Sequence, residues 1–452
     1  MLIEVQRQRL PDSTLQYLSS ILVRIHLFYQ GIRVNKIIGL YFFLIFNINA
    51  QFMPSSVGVH HKKSSVSDES YVLDFNNNDT CGDDCTNSFY AEVPWSNMST
   101  YSLSMWVKSG ESNPSQFRAF FNTYDPGGNN TNDGFQMDSG GGSNRRYRFY
   151  YANGNTLSYG NNSLVTTWVH LAVVADGSQN ETRIYYNGEL VSGATFSGVE
   201  ERWNQIEIGR NRKEDAPGNY YLDEIRVWSA ALSESDIKAW MHKPLDNSHT
   251  NYSDLEVYFQ MNQNSISGTT LLDVSGNSNN ATMYNSSGIN TSTSYVPVVD
   301  LISGYQNNVE AIWTSTGDYN NDSDASGGLS MSLVSPSSAL AEANFVVYGN
   351  NGTQSSSSAS ILGLSKLSDR VWQFDETGTV SSDITIDISL ATNASVSPSD
   401  ASKYKLLYKS CSMCDYSIEA SGSSISSTDN VTFSSVAIKD GFYSIGSTDN
   451  NL

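Results

Sequence analysis

The chain has 452 residues, of which 39% are apolar, 12% aromatic and only 16% charged, with a formal net charge of −20. This aromatic content excludes a wholly disordered chain, and the length suggests two or three domains. The negative charge argues against nucleic acid and anionic membrane surfaces as partners, because no basic face is available to neutralise phosphates. Ser, Asn, Thr and Gly take the place of charged residues, which favours an all-β chain with many turns.

The first 50 residues end in a segment typical of a secretory signal peptide. Arg33 and Lys36 precede the apolar run 37–46, and Ala50 supplies a small residue before the expected cleavage point. We therefore predict a secreted protein, extracellular or on the cell surface, with a misassigned upstream start before Val34. An uncleaved signal anchor is the alternative. No later segment reaches the roughly 18 apolar residues of a membrane span, so we expect no transmembrane segment beyond the signal region.

Four cysteines form two close pairs, Cys81 with Cys85 and Cys411 with Cys414. In an exported protein an even number of cysteines indicates disulfides. We predict two local disulfides, which close short loops and therefore contribute modest stability. A redox role for the second pair is the alternative, but its Ser-rich setting lacks the helix start typical of such motifs.

Residues 51–68 are polar and are predicted to be a flexible leader. Beyond them, segments such as 103–107 and 169–173 alternate between apolar and polar residues with period two, as strands do. Residues 183–191 consist of two such runs joined by Asn-Gly, the strongest short-range signal of a β-hairpin. Only 233–241 has the pattern of a short helix, with Ser233 as its N-cap. Many short strands predict a sandwich or barrel over residues 69–290.

A Ser/Thr/Gly-rich stretch with Pro297 is predicted to be a linker over residues 291–304. Residues 305–452 again contain strand patterns, for example 343–348, 370–374 and 384–390. We therefore predict a second β-sandwich over residues 305–452.

Several segments in order resemble one family. They are 71–75 with 91–94, 101–108 (Tyr-Ser-Leu-Ser-Met-Trp-Val-Lys), 167–177, 184–188 (Ile-Tyr-Tyr-Asn-Gly), 221–228 with 231–234, and 272–282. Together they resemble the laminin-G-like, concanavalin A-like jelly roll of exported bacterial surface proteins. The resemblance implies two antiparallel sheets packed face to face, a fold of lectins, pentraxins and glucanases. Residues 305–452 are similar, more weakly, to β-sandwich modules appended to bacterial surface proteins.

The family has an enzymatic branch, whose glycosidases carry paired carboxylates on one strand. No Glu-x-Asp-x-(x)-Glu run is present. The nearest candidates are the acids of 200–207 and the adjacent pair Asp223 and Glu224, whose side chains a regular strand would point to opposite faces. No nucleophile elbow, zinc-protease motif or phosphate loop is present either. We lean against an enzyme and predict no catalytic residue.

Calcium is the one cofactor that the residues suggest. Asp223 shares a strand face with two apolar residues, so its carboxylate should be half-buried and needs a donor or a cation. Asp74 has the comparable place on the first strand. The resemblance implies that calcium can tie the first and last strands through such carboxylates. The alternative is that both accept backbone N–H hydrogen bonds.

Sugar recognition needs aromatic rings beside amides and carboxylates, because sugar C–H faces stack on rings while hydroxyl groups form hydrogen bonds. The candidate carbohydrate-binding residues are Tyr124, Trp203, Asn204 and Tyr220. We predict a non-catalytic binding or adhesion protein that recognises a polysaccharide or a cell-surface glycoprotein. The alternatives are a protein associated with polysaccharide-degrading glycoside hydrolases and a structural spacer of a surface assembly.

Overall fold

The computed structural model of the chain describes residues 71–75, 89–94, 98–112, 118–124, 136–139, 146–151, 155–159, 166–195, 205–210, 219–262, 266–267, 269–285, 290–313, 321–322, 327–333, 343–394, 397–426 and 429–452. The predicted signal peptide and leader lie outside the described residues. Within the described residues, no helix is long and apolar enough to cross a membrane.

Strands make up most of the described chain as far as residue 293, and they form the first sandwich. They are β1 (Tyr71–Asp74), β2 (Tyr90–Pro94), β3 (Tyr101–Ser109), β4 (Arg118–Tyr124), β5 (Gln136–Ser139), β6 (Tyr147–Tyr151), β7 (Asn155–Tyr159), β8 (Val169–Asp176), β9 (Glu181–Tyr186), β10 (Glu189–Thr195), β11 (Gln205–Ile208), β12 (Tyr220–Trp228), β13 (Leu255–Phe259), β14 (Ile266–Ser267), β15 (Thr270–Leu271), β16 (Ala281–Tyr284) and β17 (Asn290–Thr293).

Two sheets compose the first sandwich. Sheet I has the order β10-β9-β8-β3-β12-β1-β17, with β13 also paired to β12, and sheet II has the order β14-β15-β16-β2-β11-β4-β5-β6-β7. Neighbouring strands are antiparallel, as in the pairs β3–β8 and β2–β11. Alternate side chains of both sheets meet in one buried core, for example Leu103 and Val107 from sheet I and Ala91 and Ile206 from sheet II. The predicted all-β, antiparallel two-sheet jelly roll is therefore confirmed.

The second sandwich is formed by the strands that follow. They are β18 (Asn307–Ile312), β19 (Asn321–Asp322), β20 (Leu329–Leu333), β21 (Phe345–Asn350), β22 (Ser356–Ser358), β23 (Lys366–Ser368), β24 (Trp372–Thr377), β25 (Ser381–Asp387), β26 (Tyr404–Lys409), β27 (Ser417–Ser421), β28 (Ser424–Ser426), β29 (Asn430–Ala437) and β30 (Gly441–Ser447). Sheet III has the order β18-β21-β24-β30-β23-β22, with the β26–β27 hairpin on β30, and sheet IV has the order β19-β20-β25-β29-β28. A separate apolar cluster, which includes Tyr348, Trp372 and Phe433, lies between them.

In the part of the chain that the structure describes, two short α-helices interrupt the strands. Helix α1 (Glu234–Trp240) begins where the sequence predicts it, because Ser233 accepts a hydrogen bond from the Asp236 backbone N–H in a capping box. Helix α2 (Ile388–Thr392) corrects the strand predicted over 384–390. Strand β25 ends at Asp387, whose carboxylate accepts from the Leu390 N–H and so caps a helix. Single 3-10 turns occupy Tyr252–Asp254 and Ala401–Lys403.

One of the two predicted disulfides is confirmed. Cys411 and Cys414 are bonded in the loop that joins β26 to β27. Cys81 and Cys85 lie outside the described residues, so their pairing stays a prediction.

Part of the segment predicted as a linker, 291–304, packs against the rest of the chain. Its first residues belong to β17, which pairs with β1 at the edge of sheet I. Farther along, Val296 and Leu301 are buried in an apolar cluster that both sandwiches share.

The same cluster joins sheet I to sheet III, within one compact unit of the chain. The Trp313 ring meets the Trp106 ring edge to face at 5.5 Å, and its Nε1–H donates to the Trp168 carbonyl at 3.1 Å. A second cluster, which includes Ala172 of β8 and Ile237 of α1, lies on the same outward side of sheet I. The second sandwich and the α1 segment therefore cover the outer face of sheet I.

Candidate functional site

Tyr220, predicted to bind carbohydrate, is a core residue. Its ring packs against Phe75 and Phe120 at centroid distances of 5.0 and 4.7 Å, and its hydroxyl donates to the Ala119 carbonyl. The side chain is fully buried, because β12 begins at Tyr220 and points it into the sandwich together with Leu222. The structure therefore does not place Tyr220 where a sugar would meet it.

Of the other predicted sugar-binding residues, the structure describes only Tyr124. Trp203 and Asn204 lie outside the described residues. Tyr124 is the last residue of β4, and its backbone pairs with that of Gln205 in sheet II.

Asp223, predicted to bind calcium, is buried and hydrogen-bonded. Its carboxylate accepts from the Ser294 hydroxyl at 2.6 Å and from the Glu224 backbone N–H at 2.8 Å. Burial raises the pKa of this carboxyl well above its usual range, and the charge of Glu224 raises it further. Asp74 lies on β1, directly opposite Tyr221 of the neighbouring strand β12. Among the residues that the structure describes, no three His, Cys, Asp or Glu side chains form a metal-binding group. Calcium at Asp74 and Asp223 stays a prediction.

Glu224 departs from the regular strand that the sequence predicts. Its φ is 51°, and the β12–β3 register shifts between Asp223 and Arg226, so both adjacent carboxylates are buried. Glu224 accepts from the Tyr258 hydroxyl and from the Arg226 guanidinium, each at 2.6 Å. The Tyr258 bond ties β12 to β13, and the Arg226 bond lies within β12, so both bonds of Glu224 support the sheet.

The outer face of sheet II carries a row of polar side chains. Because every second side chain of its strands is buried in the core, the intervening ones lie on the opposite face. In register across four strands stand Thr282 of β16, Glu92 of β2, Glu207 of β11 and Asn122 of β4. Tyr284 and Tyr90 are directly opposite each other at the next outward position.

Arg210 connects this row. Its guanidinium donates to Glu207 from Nε at 3.1 Å and from a terminal nitrogen at 2.6 Å, and that nitrogen lies 3.4 Å from Glu92. The guanidinium carbon lies 3.3 Å from the centroid of the Tyr90 ring. Gly209 places Arg210 here, because its φ of 101° is a left-handed conformation and a Cβ would collide with Phe75.

Asn122 contacts both Arg210 and Glu207. Its amide Nδ2 donates to the Arg210 carbonyl and lies 3.5 Å from Glu207, while its buried Oδ1 has no hydrogen-bond partner among the described residues. Glu207 itself is fully buried, and burial raises its pKa although Arg210 opposes the shift.

The exposed part of the cluster is aromatic. The Tyr90 and Tyr284 rings are stacked, with centroids 4.8 Å apart and planes 11° apart, and Tyr284 is 39% exposed. A hydrogen bond with Glu92 is the largest cause that raises the pKa of the Tyr284 hydroxyl. Thr282 is exposed beside them. We call Tyr90, Glu92, Arg210, Thr282 and Tyr284 the tyrosine platform.

The platform has the chemistry of a binding site. It offers an aromatic face, a hydroxyl group and a carboxylate, held in place by a buried ion pair. Glu92 and Glu207 stand opposite each other on neighbouring strands, as paired carboxylates would. However, one guanidinium engages both, and Glu207 is closed to solvent. A substrate therefore has no access to the second carboxylate.

Sequence reasoning missed these residues although a signal for them exists. The alternation in 90–94 and 281–284 places Tyr90 with Glu92, and Thr282 with Tyr284, on one strand face each. The pairing of β2 with β16, which joins the two faces, has no signature in a single sequence.

Comparisons with known families divide the chain as follows. Residues 86–238 match the family model described as the concanavalin A-like lectin/glucanases superfamily. The match confirms the concanavalin A-like resemblance over that part. Residues 303–442 match a family described as a domain of unknown function. No match was found among curated proteins.

Several solved structures are similar to parts of the chain. A Bacteroides ovatus protein, provisionally described as carbohydrate-binding, is 18% identical with a TM-score of 0.40, over 52% of this chain and 62% of that one. The chain thus spans less than two thirds of that protein. A heptameric pentraxin from Limulus polyphemus is 12% identical, with a TM-score of 0.29 over 38% and 81%. Domain 4 of a Geobacillus stearothermophilus extracellular arabinanase, solved with arabinotriose, is 20% identical, with a TM-score of 0.27 over 37% and 85%.

Proposed function

We propose that the sandwich containing this concanavalin A-like domain binds carbohydrate on the outer face of sheet II, through the tyrosine platform. The observation that carries the proposal is the exposed Tyr284 ring, stacked on Tyr90 and flanked by Glu92 and Thr282. A pyranose stacks its C–H face on such a ring, while its hydroxyl groups donate to the carboxylate.

The buried part of the cluster supports this proposal by holding the exposed part still. Arg210 contacts both the Tyr90 ring and Glu92, and Glu207 anchors Arg210. Side chains fixed before binding lose little conformational freedom when a ligand arrives, so weak sugar contacts yield more net affinity.

The covered outer face of sheet I favours sheet II as the binding face. Trp106 and Trp168 lie against the second sandwich, and Ala172 lies against the α1 segment. A sugar on that face would first have to displace these apolar contacts.

We propose further that binding is non-catalytic and that the protein acts outside the cell. The burial of Glu207 supports the first point, because a glycosidase needs both carboxylates at the substrate. The signal-like segment before Gln51 supports the second.

Binding of the full chain to a panel of soluble polysaccharides, by affinity electrophoresis, tests the proposal. Tyr284→Ala should weaken binding about fivefold, which corresponds to roughly 1 kcal/mol for one stacking ring. Tyr159→Ala is the matched control, since Tyr159 is 36% exposed at the opposite edge of sheet II. Equal binding by the unaltered chain and Tyr284→Ala would overturn the platform, and release of reducing sugar would overturn the non-catalytic role.

A further inference from the structure

We infer that the tyrosine platform selects uncharged sugar chains over their uronic acid counterparts. This inference rests on the proposed carbohydrate binding and names the class of ligand that the same residues would take.

The charge that faces solvent at the platform is negative. The Arg210 side chain is only 7% exposed, and Glu207 and Glu92 both use its guanidinium. Glu92 is 22% exposed and stands between the accessible Thr282 and the buried Glu207. Two carboxylates therefore share one guanidinium, and the carboxylate nearest to a ligand is the more exposed one.

The sequence around Arg210 does not reverse this balance. Residues 211–218 contain two basic and two acidic side chains, Arg212 and Lys213 with Glu214 and Asp215. The chain as a whole carries a net charge of −20. A polyanion would therefore approach a like-charged surface, whereas a neutral polyol meets no such barrier.

The platform also offers better hydrogen-bond partners to a neutral sugar than to a uronate. A hydroxyl group donates to the Glu92 carboxylate, whereas a sugar carboxylate at the same place only accepts and is repelled. The buried guanidinium is already engaged by two protein carboxylates, so among its described residues the platform offers no free cation to the ligand's charge. Discrimination therefore arises from a repulsive element in the site as well as from attraction.

Matched oligosaccharide pairs test the inference by calorimetry on the full chain at pH 7. Glucan, galactan and mannan oligosaccharides are compared with glucuronan, galacturonan and mannuronan oligosaccharides of the same length, linkage and anomeric configuration, so that each pair differs only at C6. We expect at least one neutral member to bind about tenfold or more tightly than its acidic counterpart. Equal or tighter binding of the acidic members overturns the inference and leaves carbohydrate binding intact. Failure of every neutral and acidic member to bind overturns both.

Three variants test whether Glu92 causes the preference. Glu92→Gln keeps an acceptor but removes the charge, so the discrimination should fall below about threefold. Glu419→Gln in the second sandwich, which removes an ion-paired carboxylate far along the chain, should leave it unchanged. If Glu92→Gln does not fold, Thr282→Lys places a cation beside Glu92 and should shift the preference toward uronates. A preference that survives unchanged in Glu92→Gln, or in Thr282→Lys where Glu92→Gln does not fold, contradicts the inference.

Discussion

Replacing Arg210 by Met tests whether the buried ion pair supports the platform. Arg210 makes two hydrogen bonds to Glu207, whose side chain is fully buried. The substitution leaves that carboxylate without a counter-ion, and breaking a buried pair in this way costs about 3–5 kcal/mol. At roughly 2–4 °C per kcal/mol for a domain of this size, Tm should fall by roughly 6–20 °C.

The loss should depend on pH. Burial already raises the pKa of Glu207 above the ordinary 4.5, and removing Arg210 removes an opposing influence and raises it further. When the folded-state pKa of a carboxyl lies above its unfolded-state pKa, ionisation of the carboxyl destabilises the fold. The penalty is complete above the folded-state pKa and disappears as the pH falls to the unfolded-state pKa. The deficit in Tm should therefore be largest at pH 7 and shrink toward pH 4.5.

Differential scanning fluorimetry across this pH range is the assay, with Arg183→Met as the matched control. Arg183 pairs with the partly exposed Glu181 at 3.7 Å, so its loss should cost at most about 1 kcal/mol. Adding Glu207→Gln to Arg210→Met should recover most of the stability, because the double variant has no buried charge to compensate. A deficit no larger than the control, or one independent of pH, would refute the reasoning.

Three further substitutions probe the rest of the fold. Trp313→Ala opens a cavity in the contact between the sandwiches, so about 3–5 kcal/mol is lost and calorimetry should show two separated transitions; one unchanged transition would contradict this. Tyr258→Phe removes the hydroxyl bonded to buried Glu224, and the denaturant midpoint should fall by the equivalent of about 1.5–3 kcal/mol, whereas an unchanged midpoint argues against the bond. Cys411→Ser opens a four-residue loop and should cost at most about 2 kcal/mol in denaturant unfolding without reductant; a much larger loss would show that the disulfide constrains more than its loop.

The architecture was predictable because its signals are local. Period-two alternation marks strands such as β3 and β8, the Asn187–Gly188 turn joins β9 to β10, and Ser233 starts α1. Helix α2 escaped prediction because Ile386 and Ile388 continue the apolar alternation of β25. The helix depends instead on the Asp387 cap.

The candidate site was harder to predict because it depends on pairing between distant strands. Tyr220 follows Asn219, a residue typical of loops. However, β12 begins at Tyr220 and points its ring into the core. Tyr90 and Tyr284 meet because β2 pairs with β16, and Arg210 reaches them through the left-handed conformation of Gly209. This strand register and this positive φ angle depend on the packing of the whole sandwich, so no local sequence pattern predicts them.

The binding face can be tested most directly by a crystal structure of the full chain with a neutral oligosaccharide that it binds. The account predicts a sugar ring stacked on Tyr284, with a hydroxyl group within hydrogen-bond distance of the Glu92 carboxylate. A sugar bound to the second sandwich, or to the first sandwich without contact to Tyr284, would contradict it.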